Sequence, residues 1–183
     1  MRNRLKSKLI FIYGPQTSGK STRLIQIIAK DRGQDLIFSA ENSNRIDTGE
    51  MYVNTTQNLS QINWPQLRIR TPRHILIDGV QFLTIPQIIK FCRRFSQSQP
   101  EVPIVMAGCL YYYRSHHDQA IDTSQFLLKW CDQTVPIQRK CHFCHRIATR
   151  VLIYRKSKHQ QGHYLVCKHH YVNPPNSLKP LIK

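Results

Sequence analysis

Short apolar runs alternate with amphipathic stretches along the first two thirds of the chain. Lys8–Tyr13, ended by Gly14-Pro15, reads as a buried strand. From Lys20 to Lys30, Leu24, Ile25, Ile27 and Ile28 recur at helical spacing, and Gly33 closes the segment as a C-cap would. Asp35–Ala40 is a second strand. Glu41–Leu59 is polar throughout and reads as a long loop. His74–Asp78 is a third strand, apolar until its terminal carboxylate. Ile85–Phe95 carries Ile88, Ile89, Phe91, Cys92 and Phe95 in a helical pattern. Val102–Ala107 is a fourth strand, followed by Gly108. Ser124–Cys131 contributes to a further helix and Thr134–Gln138 is a further strand. Strands alternating with helices predict an α/β fold whose parallel sheet is covered on both faces.

After Arg139 the pattern changes. Cys and His appear in pairs, basic residues crowd in, and strand-like Val151–Tyr154 sits between the pairs. The reading divides the chain into an α/β domain at 8–138, a small second module at 139–171 and a basic tail at 172–183.

Composition narrows the class. The chain has 183 residues and is 40% hydrophobic, which argues against wholesale disorder. No apolar run approaches the ~18 residues of a membrane helix. The run after the charged Met1–Lys8 is too short for a signal-peptide core of roughly 7–15 residues. The expectation is a cytoplasmic protein with reduced thiols and no membrane partner. The net charge of +17 has two readings, a phosphate-rich partner or a solvated basic surface.

Gly14-Pro15-Gln16-Thr17-Ser18-Gly19-Lys20-Ser21 fits G-x-x-x-x-G-K-[ST], with an apolar strand before it and an amphipathic helix after it. Glycines let the backbone curl so that successive amides point at phosphate oxygens, and the helix N-terminus adds partial positive charge. Lys20 would reach the outer phosphates and Ser21 would offer its hydroxyl to Mg²⁺. Thr22 continues the same turn. A phosphate loop needs a carboxylate for its magnesium, and Asp78, closing Ile75-Leu76-Ile77, is the candidate.

Cys141-His142-Phe143-Cys144 and Cys167-Lys168-His169-His170 form two knuckles. Together they offer the donor set of a closed, four-coordinate structural zinc site. His170 keeps the two-residue gap to Cys167 and His169 shortens it, so both stand as fourth-ligand candidates. His142, His145 and His163 read as exposed side chains. Cys92, Cys109 and Cys131 read as buried small apolar residues.

These motifs, with Asp78-Gly79-Val80-Gln81-Phe82 between them, resemble the type II thymidine kinase family over roughly Leu9 to Tyr171. The resemblance implies a RecA-like P-loop nucleotide fold with a C-terminal zinc-ribbon or lasso module. It implies transfer of a phosphoryl group from ATP, with Mg²⁺, to the 5′-hydroxyl of thymidine or a related deoxynucleoside, and a homotetramer. It places Asp78, Gly79, Val80 and Gln81 beside the phosphate loop at the nucleotide. It places Phe82, Tyr113, Arg114 and Tyr164 on the substrate side. Cys141, Cys144, Cys167 and His170 match the zinc ligands.

The chain also departs from the family's pattern. Gly79 stands where the family carries its catalytic Glu, so no catalytic base is identifiable. Gln16-Thr17 replaces a Met-Phe pair, Cys109-Leu110 replaces Leu-Asp, and Val151 and Ile153 stand for Thr and Arg. In the lasso, Gly162 stands alone and His163 takes the place of a Tyr. His116, His117 and Glu41 are weak substitutes for the base. The nucleoside kinase is therefore the leading reading. The first alternative is a catalytically silent, ATP-binding relative acting as a partner or regulatory subunit. The other is a basic nucleic-acid-binding zinc ATPase, supported by the run of Arg139, Lys140, Arg146, Arg150, Arg155, Lys156 and Lys158. No recognition helix or stacking platform is legible for it.

Overall fold

The computed structural model describes residues 5–31, 36–40, 52–54, 72–111, 121–155 and 161–175. Gly33, Asp35, Glu41, Tyr113, Arg114, His116, His117, Lys156, Lys158 and the tail from 176 onward lie outside them. So does most of the polar stretch 41–59.

Six strands form one sheet: β1 (Leu9–Tyr13), β2 (Leu36–Ser39), β3 (Tyr52–Asn54), β4 (Ile75–Asp78), β5 (Ile104–Gly108) and β6 (Gln133–Pro136). Their spatial order is β3-β2-β4-β5-β1-β6, and every pair is parallel. Three longer helices accompany them: α1 (Lys20–Asp31), α2 (Ile85–Ser98) and α3 (Asp122–Trp130). The α/β expectation holds. None of the helices among the described residues is long and apolar enough to cross a membrane.

Alternate side chains of each central strand enter opposite layers, as the two-residue period of a strand requires. Phe11, Phe38, Ile75, Ile77, Ile104 and Met106 pack with Phe91 and Phe95 of α2 and Leu127 of α3. Ile12, Ile37, Leu76, Val105 and Ala107 pack on the other face around Leu24 of α1. Both faces are thus covered, which is why the central strands are continuous apolar runs. Edge strand β6 is largely exposed and tolerates Pro136, since an edge residue can lack an N–H without breaking a ladder.

The elements differ from expectation in instructive places. Strand β5 starts at Ile104, because Pro103 has no amide to donate. Helix α2 opens with a capping box between Thr84 and Gln87 and continues past Phe95 to Ser98. Its added turn has a use: buried Ser96 Oγ accepts from the amides of Lys6 at 2.8 Å and Ser7 at 3.0 Å. The polar stretch 41–59, expected as loop, contains β3, paired with β2 through Ile37↔Tyr52. An edge strand is paired on one side only, so it needs no apolar run to announce it.

A second sheet holds β7 (Arg150–Arg155) against β8 (Gln161–Val166), antiparallel, followed by the short helix α4 (Lys168–Val172). The sequence pattern marks neither β8 nor α4, since a two-stranded ribbon over a small core has little periodicity to show. Gly162 faces Tyr154 across the ribbon, and a Cβ there would fall inside the Tyr154 ring. That ring stacks on Tyr164 at 4.5 Å, and Tyr164 stacks on His142 at 4.2 Å.

Candidate nucleotide site and metal centre

The phosphate loop leaves the C-terminal end of β1 between β5 and β6, where parallel sheets place ligands. Gly14 is closed to any side chain: a Cβ would lie 2.7 Å from Ser18 Oγ and 2.9 Å from the Ile137 carbonyl. The loop tightens through Ser18 N–H donating to the Pro15 carbonyl at 3.2 Å. Thr17 at φ 60 and Gly19 at φ 95 reverse its hand. Gly19 adopts that conformation freely, whereas a β-branched Thr there stores roughly 1–3 kcal/mol. Helix α1 then begins, and the Arg23 amide bonds the Gly19 carbonyl at 3.0 Å. The first-turn amides of such a helix have no acceptor within it.

Three side chains give this loop its chemistry. Lys20 is buried, with its Nζ 2.6 Å from the Pro15 carbonyl, so the ammonium lies over the loop. Ser21 Oγ donates to Asp78 Oδ2 at 2.7 Å. Ser18 Oγ is fully buried and has no hydrogen-bond partner among the described residues. An orphaned hydroxyl, a buried ammonium and a hydroxyl–carboxylate pair are a donor set that suits a phosphate chain and a hard divalent cation. The loop therefore fits Mg·ATP.

The β4 end of the site comes from strand register. Asp78 pairs with Ser39 on one side and Ala107 on the other. Gly79 follows at φ 78, ψ 32, and its amide bonds the Ala107 carbonyl at 3.0 Å. A single 3₁₀ turn, Val80–Phe82, comes next. Two of its side chains are engaged by the protein itself. Val80 is wholly buried in the core, and a Cβ on Gly108 would sit 2.6 Å from its Cγ2. Gln81 turns its Oε1 to the Cys109 amide at 3.2 Å. Gln16, Thr17 and Thr22 are exposed around the loop, and Pro15 is half-buried. Phe82 is 43% exposed and remains available to a ligand. Tyr164 lies in the aromatic stack of the ribbon, with Phe143 edge-on at 5.1 Å.

Two features escaped the sequence reading. One is a cleft of about 480 Å³ beside the loop. Tyr13, Gly14 and Pro15 line one side, Leu110 and Tyr111 another, and Ile147, Thr149, Arg150 and Lys168 the side nearest the second module. The Arg150 guanidinium sits 4.5 Å from the centre of the Tyr111 ring. The other is Arg139, whose Nε donates to the Ser18 carbonyl at 3.0 Å across 121 positions of sequence. No local signal marks either feature, because each exists only where separate segments meet.

In the second module, Cys141, Cys144, Cys167 and His170 bring one ligand atom each to within 4.8 Å of the others. A tight hairpin presents the first pair: the Cys141 amide bonds the Arg146 carbonyl at 2.8 Å, and Lys140 bridges Ile147. Cys167 caps α4, and His170 lies three residues further on. Cys144 Sγ is 3.8 Å from Cys167 Sγ, and His170 Nδ1 is 3.4 Å from Cys141 Sγ and 3.6 Å from Cys167 Sγ. Zn–S bonds of ~2.3 Å and Zn–N bonds of ~2.0–2.1 Å at tetrahedral angles require edges of about 3.8 Å and 3.6 Å. Three of the six edges therefore match a tetrahedral site, and the four residues could hold zinc. His170, not the exposed His169, is the fourth member. Burial opposes ionisation of Cys141, yet the amides of Cys167, Phe143 and Cys144 and the His170 ring bring its thiol down to about 6. Cys92, Cys109 and Cys131 are buried thiols not joined in disulfides. Burial, followed by the nearby Cys131, pushes the Cys92 thiol far up, which fits a packing role.

Comparison with known proteins gives one consistent answer. Residues 7–172 match the family model described as thymidine kinase. The thymidine kinase of Rhodopirellula baltica is 30% identical over 162 residues, covering 80% of this chain and 73% of that protein. That of Legionella pneumophila strain Lens is 30% identical over 159 residues, 78% and 73% of the two chains. That of Enterococcus faecalis is 24% identical over 194 residues, 92% and 96%.

Proposed function

The chain belongs to the thymidine kinase family, and from that premise we propose that it transfers the γ-phosphoryl group of Mg·ATP to the 5′-hydroxyl of thymidine or a related deoxynucleoside. The observation that carries the reading is the Ser21–Asp78 pair at 2.7 Å beside buried Lys20. Magnesium, when bound, neutralises charge on the β- and γ-phosphates. Ser21 and Asp78 would hold it, and Lys20 would turn from the Pro15 carbonyl to the outer phosphates. The loop amides would cradle the remaining oxygens. The cleft beside Gly14 and Pro15 has room and apolar lining for the acceptor's base, and Phe82 offers a further ring face.

Gly79 shapes the expected rate. It has no side chain to accept the proton of the attacking hydroxyl, so the reaction forgoes a contribution of ~10²–10⁴-fold. Phosphoryl transfer passes through a loose transition state in which positioning and charge neutralisation do most of the work. Slow transfer is therefore compatible with this site. The same glycine supports a second reading, a relative that binds ATP without transferring phosphate and acts as a partner subunit. The metal module, with zinc bound, would be a structural staple on the ribbon, and the family resemblance extends the proposal to a homotetramer.

The test is a panel of deoxynucleosides with γ-labelled ATP, with Lys20→Ala as control. Label on any nucleoside, lost in the control, supports the kinase. ATP binding with no labelled nucleoside selects the second reading. Failure of the wild-type protein to bind Mg·ATP sinks both.

A further inference from the structure

We propose that Arg139 is a positioning residue for the phosphate loop, aiming the Gly19 amide into the phosphate cradle and linking that cradle to the metal knuckle. The inference rests on the reading that residues 14–21 hold the phosphates of ATP.

The geometry begins with one peptide unit. Arg139 Nε donates to the Ser18 carbonyl at 3.0 Å. That carbonyl and the Gly19 N–H belong to the same planar trans peptide, so they point in opposite directions. Holding the oxygen on one side fixes where the N–H points on the other. The guanidinium packs along the loop as well, since a Cβ on Gly19 would come within 3.1 Å of Arg139 Nη2. Gly19, at φ 95, is the loop residue with the widest choice of conformation, so its peptide gains most from an external hold. A cation on the carbonyl oxygen also polarises the peptide and makes its N–H a stronger donor to an anion.

The backbone of Arg139 is held by the knuckle. Its carbonyl accepts from the Ala148 amide at 2.7 Å, and Lys140↔Ile147 and Cys141 N–H to Arg146 O complete the hairpin. Cys141, two residues on, supplies a sulfur 3.4 Å from His170 Nδ1. Metal at the four-residue cluster would hold this hairpin closed, and with it the base of the Arg139 side chain.

The experiment uses the full chain loaded with zinc, as wild type, Arg139→Ala and Arg139→Lys. Mg·ATP affinity is measured by calorimetry, and the chemical shift of the Gly19 amide proton is measured by NMR without nucleotide. For Arg139→Ala the expectation is an affinity weaker by about fivefold to tenfold, less than a buried charge-assisted bond would give because the side chain is exposed. The Gly19 amide proton should move upfield, since its peptide loses the polarising cation, with zinc content and melting temperature held. Arg139→Lys, which keeps one charged donor, should recover part of both. Chelating zinc from wild type should weaken ATP binding to a similar degree and add little to Arg139→Ala. Unchanged affinity and amide shift in Arg139→Ala, with wild type still binding ATP, would overturn the proposal. So would chelation that weakens both proteins equally. Absence of ATP binding by wild type would instead strike the proposed function, while the Gly19 amide shift would still report on Arg139.

Discussion

Gly79 is the position where backbone and chemistry meet, and its substitution can be worked through. It sits at φ 78, ψ 32, in the left-handed region. Any residue with a Cβ pays roughly 1–2 kcal/mol there. A Gly→Ala change also stiffens the unfolded chain, which offsets about 0.4–1 kcal/mol. The expected net loss for Gly79→Ala is therefore about 0–1.6 kcal/mol, a fall in melting temperature of up to about 6 °C for a chain of this size. Gly79→Asn should lose less than Ala, because Asn tolerates this conformation. Urea unfolding followed by Trp fluorescence measures both. Gly79→Glu should share the backbone cost of Ala while placing a carboxylate directly after Asp78. If Gly79 stands where a base is missing, phosphate transfer per folded molecule should rise, by up to ~10²-fold. Gly79→Ala is the control, carrying the strain without the carboxylate. Two results would refute the reasoning. One is Ala proving more stable than wild type, or Asn losing as much as Ala. The other is Glu giving no more transfer than Ala once both are corrected for the folded fraction.

Other consequences are as direct. Lys20→Ala should weaken Mg·ATP binding at least tenfold by calorimetry, since it removes the buried ammonium of the loop; unchanged heat would remove Lys20 from the phosphate site. Ser96→Ala should destabilise the fold by about 2–3 kcal/mol in urea, because two amides lose their acceptor; a loss under 0.5 kcal/mol would show that water replaces it. Chelation should lower the thermal stability of the ribbon module, seen as a melting curve that shifts and then recovers on adding zinc; a curve insensitive to chelator argues against a structural metal. Gly162→Ala should disturb the Tyr154–Tyr164 stack and destabilise the same module, whereas wild-type melting would mean that the Tyr154 ring moves aside at no cost.

Much of this protein was determined by the chain order of its residues. A parallel sheet buried on both faces demands continuous apolar strands, and Ile75-Leu76-Ile77 and Ile104–Ala107 announce them without reference to anything distant. The phosphate loop and the two knuckles are equally local, because a curled backbone or a metal vertex needs particular residues at particular spacing. Only the tertiary structure decided the rest. Strand register carried Asp78 to Ser21, α4 chose His170 over His169, and the core claimed Val80. Arg139 reached the Ser18 carbonyl from 121 positions away. These outcomes depend on which segments end up adjacent, and adjacency is settled by packing and pairing across the whole chain, which no local spacing encodes.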